Sequence, residues 1–322
     1  MQVIHLDSHS PNTLPPHVLT IGNFDGVHLG HQAMLNVLHA TAKKHALNTA
    51  VMVFEPQSRE FFNPKNPPAR LTNFTEKVAL LDGFGVDLVI CVDFNEHFRQ
   101  LSATDFAGIL SKLGTHHLVL GDDFRFGHDR MGDKAFLQNL GFCVQNLPTV
   151  NEAGERISST AVREALSQGD LVKASRLLGR DYAIKGEVVH GDKIGRTLNF
   201  PTANISLGRL KPALQGVFGA DVIIHQVGQT TKADGGIKGT RPNSLFGAVN
   251  VGMRPSVQGA DYRLEVHLPD FRGDLYGASL EVIFTHYLHG ERRYGSLDEL
   301  KQGISHDVAQ LLAWQKSKCG ND

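Results

Sequence analysis

The sequence has little cysteine and no excess of either charge. Its 322 residues include three cysteines, Cys91, Cys143 and Cys319, which lie far apart and form no CxxC pair. Few, scattered cysteines are typical of reduced thiols and disfavour a disulfide framework or a cysteine metal site. The formal net charge is −1, so no basic surface is expected to hold nucleic acid. Small-molecule ligands are therefore the favoured partners.

The sequence also lacks a long apolar run. No uninterrupted apolar stretch reaches the roughly 18 residues of a membrane helix. The opening MQVIHLDSHS has neither the basic nor the apolar segment of a signal peptide. We therefore expect no membrane partner and a cytoplasmic location. A Walker A pattern is missing as well, so any ATP site is expected to be of another type.

The order of the sequence patterns indicates two domains. Up to about residue 150, short apolar strand-like runs alternate with helical patterns, as in Val18 to Ile21 followed by His31 to Lys44. This alternation predicts a parallel sheet covered on both faces. After Tyr182, strand-like segments separated by Gly and Pro turns predict an antiparallel barrel, followed by one helix from about Leu297 to Ser317. We place the domains at 1–180 and 183–322.

The first motif, GNFDGVHLGH, follows a predicted strand. Such a turn lies at the carboxyl edge of a parallel sheet, where open α/β folds bind ligands. Gly22, Gly26 and Gly30 would let the backbone approach a ligand, and His28 and His31 share one face of the first helical turn. The free N–H groups of that turn favour phosphate. A zinc pair, which needs further ligands, and two solvated histidines remain as alternatives.

Two further motifs follow in the first half. ISSTAVREAL supplies Ser158, Ser159 and Thr160 at a helix start, with Arg163 one turn later. Hydroxyls, N–H groups and a guanidinium there would suit phosphate, although an ordinary N-cap explains a single hydroxyl. GDDFRFGHDRMGD follows a short strand and begins with two carboxylates, an arginine and two aromatic residues. It is either a structural turn or a site.

Together these three ordered motifs resemble the HxGH nucleotidyltransferases, and in particular the FMN adenylyltransferase part of bacterial bifunctional riboflavin kinase/FAD synthetases. The resemblance implies a Rossmann-like α/β domain that joins FMN to ATP and releases pyrophosphate. It implies that His28 and His31 are catalytic and stabilise charge on the α-phosphate. The implied ATP-binding residues are Gly22, Asn23, Asp25, Gly30, Ser159, Thr160 and Arg163, and the implied flavin-binding residues are Asp123 and Phe124.

In the second half, HGDKIGRTLNFPTANI ends in Pro-Thr-Ala-Asn. Thr202 and Asn204 lie on one side if this stretch is extended, and their oxygens would suit a hard cation such as Mg²⁺. A surface turn before a strand is the alternative. Glu265 stands in the alternating stretch YRLEVHL, where the pattern by itself favours an exposed strand carboxylate.

The same segments resemble the riboflavin kinase signature, which implies an antiparallel β-barrel with a C-terminal helix that makes FMN from riboflavin and ATP. The resemblance implies that Glu265 is the general base for the ribityl 5′-hydroxyl and that Thr202 and Asn204 hold Mg²⁺. It further implies ATP contacts at Gly191, Lys193, Gly195 and Arg196, and flavin contacts at Asn250, Arg254 and Arg293. Asn199 stands where glycine is usual, which bears on the mobility of this loop.

The expectation is thus a bifunctional enzyme that binds riboflavin, FMN, FAD and ATP, uses Mg²⁺ and has no permanently bound cofactor. One alternative is a relative of the class I aminoacyl-tRNA synthetases, since HLGH resembles their HIGH motif, but that function needs a basic RNA face. Another is a flavin-storage module, which would have no use for a base beside the flavin. The polar, glycine-rich segment Gly228 to Asn243 predicts a mobile hairpin loop.

Overall fold

The structure is a computed structural model that describes residues 1–6, 14–152, 154–191, 200–226, 234–256 and 259–319. The chain divides into two units, the first formed by Met1–Pro68 and Phe74–Ser159, and the second by Ala69–Asn73 and Thr160–Asp322. Five residues from the first half of the sequence thus belong to the second unit. The domain limits predicted at 180 and 183 stay a prediction.

A parallel sheet lies at the centre of the first unit. Its strands are β1 (Gln2–Leu6), β2 (His17–Ile21), β3 (Asn48–Glu55), β4 (Leu88–Asp93), β5 (Thr115–Gly121) and β6 (Cys143–Leu147). They are hydrogen-bonded in the order β1-β4-β3-β2-β5-β6, and every neighbouring pair is parallel. The α/β class predicted from the alternating pattern is confirmed.

Helices cover both faces of this sheet. They are α1 (Leu29–His45), α2 (Ser58–Phe62), α3 (Phe74–Gly83), α4 (Glu96–Arg99), α5 (Ala103–Lys112) and α6 (Lys134–Asn139). Successive strand residues point to opposite faces, so Val18 packs with Leu35 and Leu38 of α1, whereas Leu19 packs with Phe106 of α5. This two-sided burial explains why the strands read as nearly continuous apolar runs.

A short hairpin, β7 (Asn151–Glu152) with β8 (Glu155–Arg156), precedes two helices, α7 (Ser159–Ser167) and α8 (Leu171–Leu178). Gly169 separates the helices in the left-handed region, at φ 75°, a conformation that glycine adopts without steric cost. The side chain of Asp170 caps α8 by accepting the N–H of Lys173. The predicted glycine break between two short helices is confirmed.

The second unit contains a closed antiparallel barrel in the order β10-β14-β13-β11-β16-β9. The strands of this part are β9 (Ala183–Val189), β10 (Thr202–Ile205), β11 (Gly216–Gln226), β12 (Asp234–Gly235), β13 (Leu245–Ser256), β14 (Gly259–His267), β15 (Phe271–Arg272) and β16 (Ser279–His289). Strands β12 and β15 form a separate two-stranded sheet. The predicted barrel is confirmed.

Helix α9 (Leu297–Cys319) packs on the outside of the barrel. Its Leu311 forms a buried cluster with Phe246 and Ala248 of β13. Residues two apart on a strand share a face, so Phe246, Ala248 and Asn250 all lie on the outer face. The intervening Val249 is buried in the barrel interior, with 1% of its surface exposed.

Some local predictions differ from the structure. Edge strands β1 and β6 were not predicted, because each has one neighbour and largely exposed residues, which weakens the apolar signal. The loop predicted at 228–243 lies partly outside the described residues. In its described part, Asp234–Gly235 pairs with β15, and the backbone N–H of Thr240 donates to buried Asp221 at 2.7 Å. Across the described ranges, no helix is both long and apolar enough to span a membrane.

Candidate active sites

The two motif histidines lie in contact at the start of α1. His28 is the N-cap, and its Nδ1 accepts the N–H of His31 at 3.4 Å. The two imidazole rings are stacked, with centroids 3.7 Å apart and 18° between their planes. Phe24 lies beside the His31 ring, with centroids 4.7 Å apart. The pair predicted from spacing is thus a stacked pair at the positive end of a helix.

The turn before α1 has an unusual backbone. Phe24 and Val27 have φ values of 47° and 40°, and each non-glycine residue in the left-handed region costs on the order of 1 kcal/mol. Gly26, at φ 81°, adopts the same region without that cost. A Cβ added to Gly30 would lie 3.2 Å from the His28 ring. The turn therefore holds a strained, close-packed conformation at the carboxyl edge of the sheet.

Other predicted phosphate residues lie near this turn. The Ser159 hydroxyl, at the start of α7, donates to the carbonyl of Asp25 at 3.0 Å. Asp25 is buried, with 1% exposed. Asn23 Oδ1 is buried and has no hydrogen-bond partner among the described residues, and an unsatisfied buried oxygen is costly. A ligand donor at this position would remove that cost.

Arg163 belongs to the second unit, as does Thr160. The Arg163 Nε donates to the carbonyl of Ala69 at 2.5 Å, so part of its guanidinium is engaged by backbone. Thr160 is exposed at the start of α7.

The two predicted flavin residues of the first unit follow β5. Asp123 pairs with Arg156 at 2.8 Å, and the hydrogen bond from Arg156 lowers the pKa of this carboxyl below its usual value. The ring of Phe124 stacks on Phe126, with centroids 5.6 Å apart. Asp123 is thus ionised and held in an exposed ion pair, and Phe124 is half-buried.

A series of phenylalanine contacts along this unit was not identified from the sequence. Neighbouring ring centroids lie 5.2 to 5.9 Å apart in the series Phe61, Phe94, Phe98, Phe106, Phe126 and Phe124. Phe94 directly follows β4, and this position at the carboxyl end of a parallel strand is the sequence signal that could have identified it. Phe106 and Phe126 are buried in the core of the unit, and the half-buried ring of Phe124 lies at the end of the series.

In the second unit, the predicted base lies in a row of polar residues. Glu265 of β14 is directly opposite Asn204 of β10 and opposite Asn250 of β13 on its other side. Directly opposed residues share a face of the sheet, so the row lies on the outer face of the barrel. Glu265 is half-buried rather than fully exposed. Strand pairing thus brings together three predicted site residues that are far apart in sequence.

A cavity of about 330 Å³ adjoins this row. It is lined by residues of β9, β10, β14 and the loop after β10, including Gly191, Asn204, Arg209, Tyr262 and Arg263. Arg263 shares the outer face with Glu265, since the two are two residues apart. The arginines and Tyr262 were not identified from the sequence, because no motif surrounds them. The lining of the cavity is mainly polar and includes the two arginines Arg209 and Arg263.

The amide of Asn204 is tightly enclosed. A Cβ added to Gly191 would lie 2.2 Å from Asn204 Nδ2, so any side chain at this position would have to displace the Asn204 amide. Asn204 Oδ1 is buried, and within the described ranges it has no hydrogen-bond partner. Thr202 stands two residues earlier on the same face. A buried amide oxygen next to a hydroxyl is a donor set that fits Mg²⁺.

Several of the predicted site residues of the second unit lie outside the described residues. Lys193, Gly195, Arg196 and Asn199 lie outside the described residues, as does the side chain of Arg254. Arg293 is exposed in the segment after β16. In the part of the chain that the structure describes, no three His, Cys, Asp or Glu side chains cluster as metal ligands. The zinc alternative for His28 and His31 therefore gains no support.

Two family models match the chain. The FAD synthetase model matches residues 10–161, and the riboflavin kinase model matches residues 178–315.

Curated relatives match nearly the whole chain. The bifunctional riboflavin kinase/FMN adenylyltransferase of Pseudomonas fluorescens is 46% identical over 94% of this chain and 95% of its own length. The protein of the same name from Escherichia coli K12 is 44% identical over 90% of both chains. A solved structure titled as a macrolide-efflux protein from Streptococcus pneumoniae is 28% identical, with a TM-score of 0.73 over 95% of this chain and 97% of its own.

Proposed function

Because this chain belongs to the bifunctional riboflavin kinase/FMN adenylyltransferase family, it catalyses two ATP-dependent steps, and we propose which residues carry out each. Riboflavin and ATP give FMN and ADP in the first step. FMN and a second ATP give FAD and pyrophosphate in the next. The family rules out the synthetase and flavin-storage alternatives.

For adenylyl transfer, the proposed site is the turn before α1. The N–H groups at the start of α1, with Gly22 and Gly30 admitting close approach, would bind the ATP phosphates. His28 and His31 would donate hydrogen bonds to the α-phosphate, where negative charge increases during attack by the FMN phosphate. The stacking of the two rings supports this role, since each fixes the orientation of the other. No protein nucleophile is required.

The same site includes further ATP contacts. Asn23, Asp25 and Ser159 would bind the nucleotide near the turn. The family resemblance also assigns ATP-phosphate binding to Thr160 and Arg163 of α7. Asp123 and Phe124 would border the flavin. The half-buried ring of Phe124, packed on Phe126, supports this assignment, because an aromatic ring suits contact with an isoalloxazine ring.

For riboflavin phosphorylation, the proposed site is the outer face of the barrel. Glu265 would accept the proton of the ribityl 5′-hydroxyl as the oxygen attacks the γ-phosphorus of ATP, and ADP would leave. ATP would occupy the 330 Å³ cavity, with Gly191, Lys193, Gly195 and Arg196 on the phosphates. Arg263 adds a positive charge on the same face. Asn250, Arg254 and Arg293 would contact the flavin.

We further propose Mg²⁺ as the cation required with ATP. Thr202 and Asn204 would hold it, which the buried Oδ1 of Asn204 supports. When bound, the cation neutralises phosphate charge during transfer. The proposed location is the cytoplasm, where ATP is available.

The observation that carries the kinase assignment is the row Asn204–Glu265–Asn250 beside the cavity. The test incubates the purified full-length chain with riboflavin, ATP and Mg²⁺ and separates the flavins over time. FMN should appear first and FAD later, and both should require Mg²⁺. FMN supplied directly should give FAD without a lag. Activity that persists after chelation of divalent cations would contradict the Mg²⁺ assignment.

A further inference from the structure

The segment after β16 is attached to β13 by Glu291. Its Oε1 accepts the backbone N–H of Met253 at 2.8 Å. A Cβ added to Gly252 would lie 2.5 Å from the same oxygen and 3.1 Å from Nδ2 of Asn250. Gly252 lies outside the left-handed region, so its missing side chain provides space rather than backbone freedom. The Glu291 carboxylate thus occupies the space that a side chain at 252 would fill.

This contact lies beside the proposed base. Asn250 is directly opposite Glu265, and Gly252 is directly opposite Arg263. The Glu291 carboxylate therefore lies near the amide of the residue that neighbours the base. Two residues later the chain reaches Arg293, which the kinase assignment places at the flavin.

We infer that Glu291 is a positioning residue for riboflavin: it holds the segment 290–294 against β13 and so preforms one wall of the flavin site. This inference rests on the proposed kinase site. Glu291 takes no part in the chemistry, since Glu265 is the base. Its role is to keep Arg293 and the adjoining backbone in place before the substrate arrives, which lowers the ordering cost of binding.

The kinetic consequence is specific. A wall that contacts the substrate equally before and during reaction affects KM and leaves kcat unchanged. Loss of this exposed hydrogen bond should raise the riboflavin KM severalfold, up to roughly tenfold, because only part of its energy orders the wall of the flavin site. An exposed carboxylate with a purely structural role would instead lower thermal stability and leave KM unchanged.

The experiment uses four variants of the full chain: Glu291→Ala, Glu291→Gln, Gly252→Ala and the double variant Gly252→Ala/Glu291→Ala. Riboflavin kinase rates are measured against riboflavin at saturating MgATP. Adenylylation of supplied FMN and the melting temperature are recorded on the same preparations. We expect Glu291→Ala to raise the riboflavin KM with kcat within about twofold, because uniform binding is lost. Glu291→Gln should recover most of the affinity, since its amide oxygen still accepts the Met253 N–H.

The glycine variants provide an independent test. Gly252→Ala should displace the Glu291 carboxylate and raise KM in the same direction. In the double variant the Glu291 carboxylate is absent. Gly252→Ala should therefore raise the riboflavin KM little beyond the effect of Glu291→Ala alone.

An unchanged KM in Glu291→Ala, or fully additive effects in the double variant, would overturn the inference. If Glu291→Ala does not fold, an unchanged KM in Gly252→Ala overturns it equally. Should the unsubstituted chain itself fail to phosphorylate riboflavin, the kinase assignment falls together with the inference.

Discussion

His28 is at once the N-cap of α1 and a candidate phosphate ligand, and these two roles can be separated. Asparagine is among the preferred N-cap residues, whereas alanine is among the poorest. We expect His28→Asn and His28→Ala both to lower FAD formation by roughly 10²-fold or more, because each removes the imidazole from the α-phosphate. Both variants lose the stacking on His31, but His28→Ala should be about 1 kcal/mol less stable than His28→Asn, because only asparagine still caps the helix. Flavin separation and denaturant unfolding measure the two effects.

Riboflavin phosphorylation is the internal control for these variants. It should continue at the unsubstituted rate in both, since His28 belongs to the first unit. His45→Ala, at the other end of α1, is the matched control for loss of a histidine. A His28→Asn chain that makes FAD at near the normal rate would exclude His28 from the reaction.

Glu265 is the residue for which the local pattern and the family resemblance disagree. Glu265→Gln keeps the size of the side chain but removes the basic carboxylate, so FMN formation should fall by roughly 10²- to 10⁴-fold. Adenylylation of supplied FMN should remain near normal. Both conversions are assayed on one preparation, with its melting temperature.

A matched control is Glu281→Gln on β16 of the same barrel, whose carboxylate contacts exposed His225 at 2.8 Å. It should leave both rates unchanged. Kinase activity of Glu265→Gln within about threefold of the unsubstituted chain is far less than a general base provides and would remove Glu265 from that role.

At the residue scale, site residues within recognisable motifs could be predicted from the sequence, whereas residues that meet only through tertiary contacts could not. His28 and His31 lie three residues apart, so helical spacing sufficed to pair them. Glu291 and Met253 are 38 residues apart, and no local pattern links a carboxylate to a distant backbone N–H. Only the tertiary contact between the segment after β16 and β13 brings the two together.

At the scale of elements, β2 carries a buried histidine, His17, that we expect to make the stability of the first unit depend on pH. His17 lies between the carbonyl of Pro15 and the hydroxyl of Thr115, each at 2.8 Å. Burial lowers the pKa of His17 below its usual value, mainly because the charged form is poorly solvated. The unfolded chain therefore binds the proton more readily than the folded chain. Stability from this group is complete above about pH 6.5 and is lost as the pH falls below that value.

The pH prediction is tested with His17→Gln. The unsubstituted chain should unfold at lower denaturant concentration at pH 5.5 than at pH 7.5. His17→Gln should be less stable at pH 7.5, because it loses buried hydrogen bonds, but should show a smaller change between the two pH values. Far-UV circular dichroism in a urea series measures the midpoints. An equal or larger change in His17→Gln would assign the pH dependence to other groups.

Elements with strong periodicity could be predicted, and elements defined by tertiary pairing could not. Strands β2 to β5 are buried on both faces, so their apolar runs identified them. Strand β1 is an edge strand, and its pairing with β4 depends on partners that no local pattern reveals. The barrel was predicted as a class, whereas its strand order and the row through Glu265 required the structure.

At the scale of the whole molecule, the segment 69–73 is a part of the second unit that the first half of the sequence supplies. The carbonyl of Leu71 accepts hydrogen bonds from Tyr182 at 3.0 Å and from Arg209 at 2.9 Å. The Arg70 N–H donates to the carbonyl of Lys211 at 2.9 Å. Arg209 also lines the cavity proposed for ATP. The segment thus supports a wall of the kinase cavity.

A fragment that begins at Leu178 lacks this segment together with α7 and most of α8, which also belong to the second unit. It should phosphorylate riboflavin and form no FAD, because it retains the barrel and lacks the turn before α1. It should also be less stable than the second unit of the full chain, by at least about 1–3 kcal/mol, since two hydrogen bonds to Leu71 are lost in addition to the contacts of α7 and α8. Denaturant unfolding followed by kinase activity provides the comparison.

Tyr182→Phe in the full chain is the matched control. It removes only one of these hydrogen bonds, so its loss of stability should be about 0.5–1.5 kcal/mol, smaller than that of the fragment. A fragment as stable as the full chain would show that the segment 69–73 contributes nothing to the second unit.

The segment 69–73 also has a consequence for synthesis on the ribosome. Translation proceeds from the N-terminus, so residues 69–73 emerge long before Tyr182, Arg209 and Lys211, to which they are hydrogen-bonded. The first unit has all its own residues once Ser159 has emerged, and it can fold with these five still exposed to solvent. The second unit cannot be completed until the nascent chain is more than 200 residues long, because only then have Arg209 and Lys211 emerged to bond to residues 69–73. A gene split between the two units at residue 160 would therefore produce a kinase polypeptide that lacks part of its own fold.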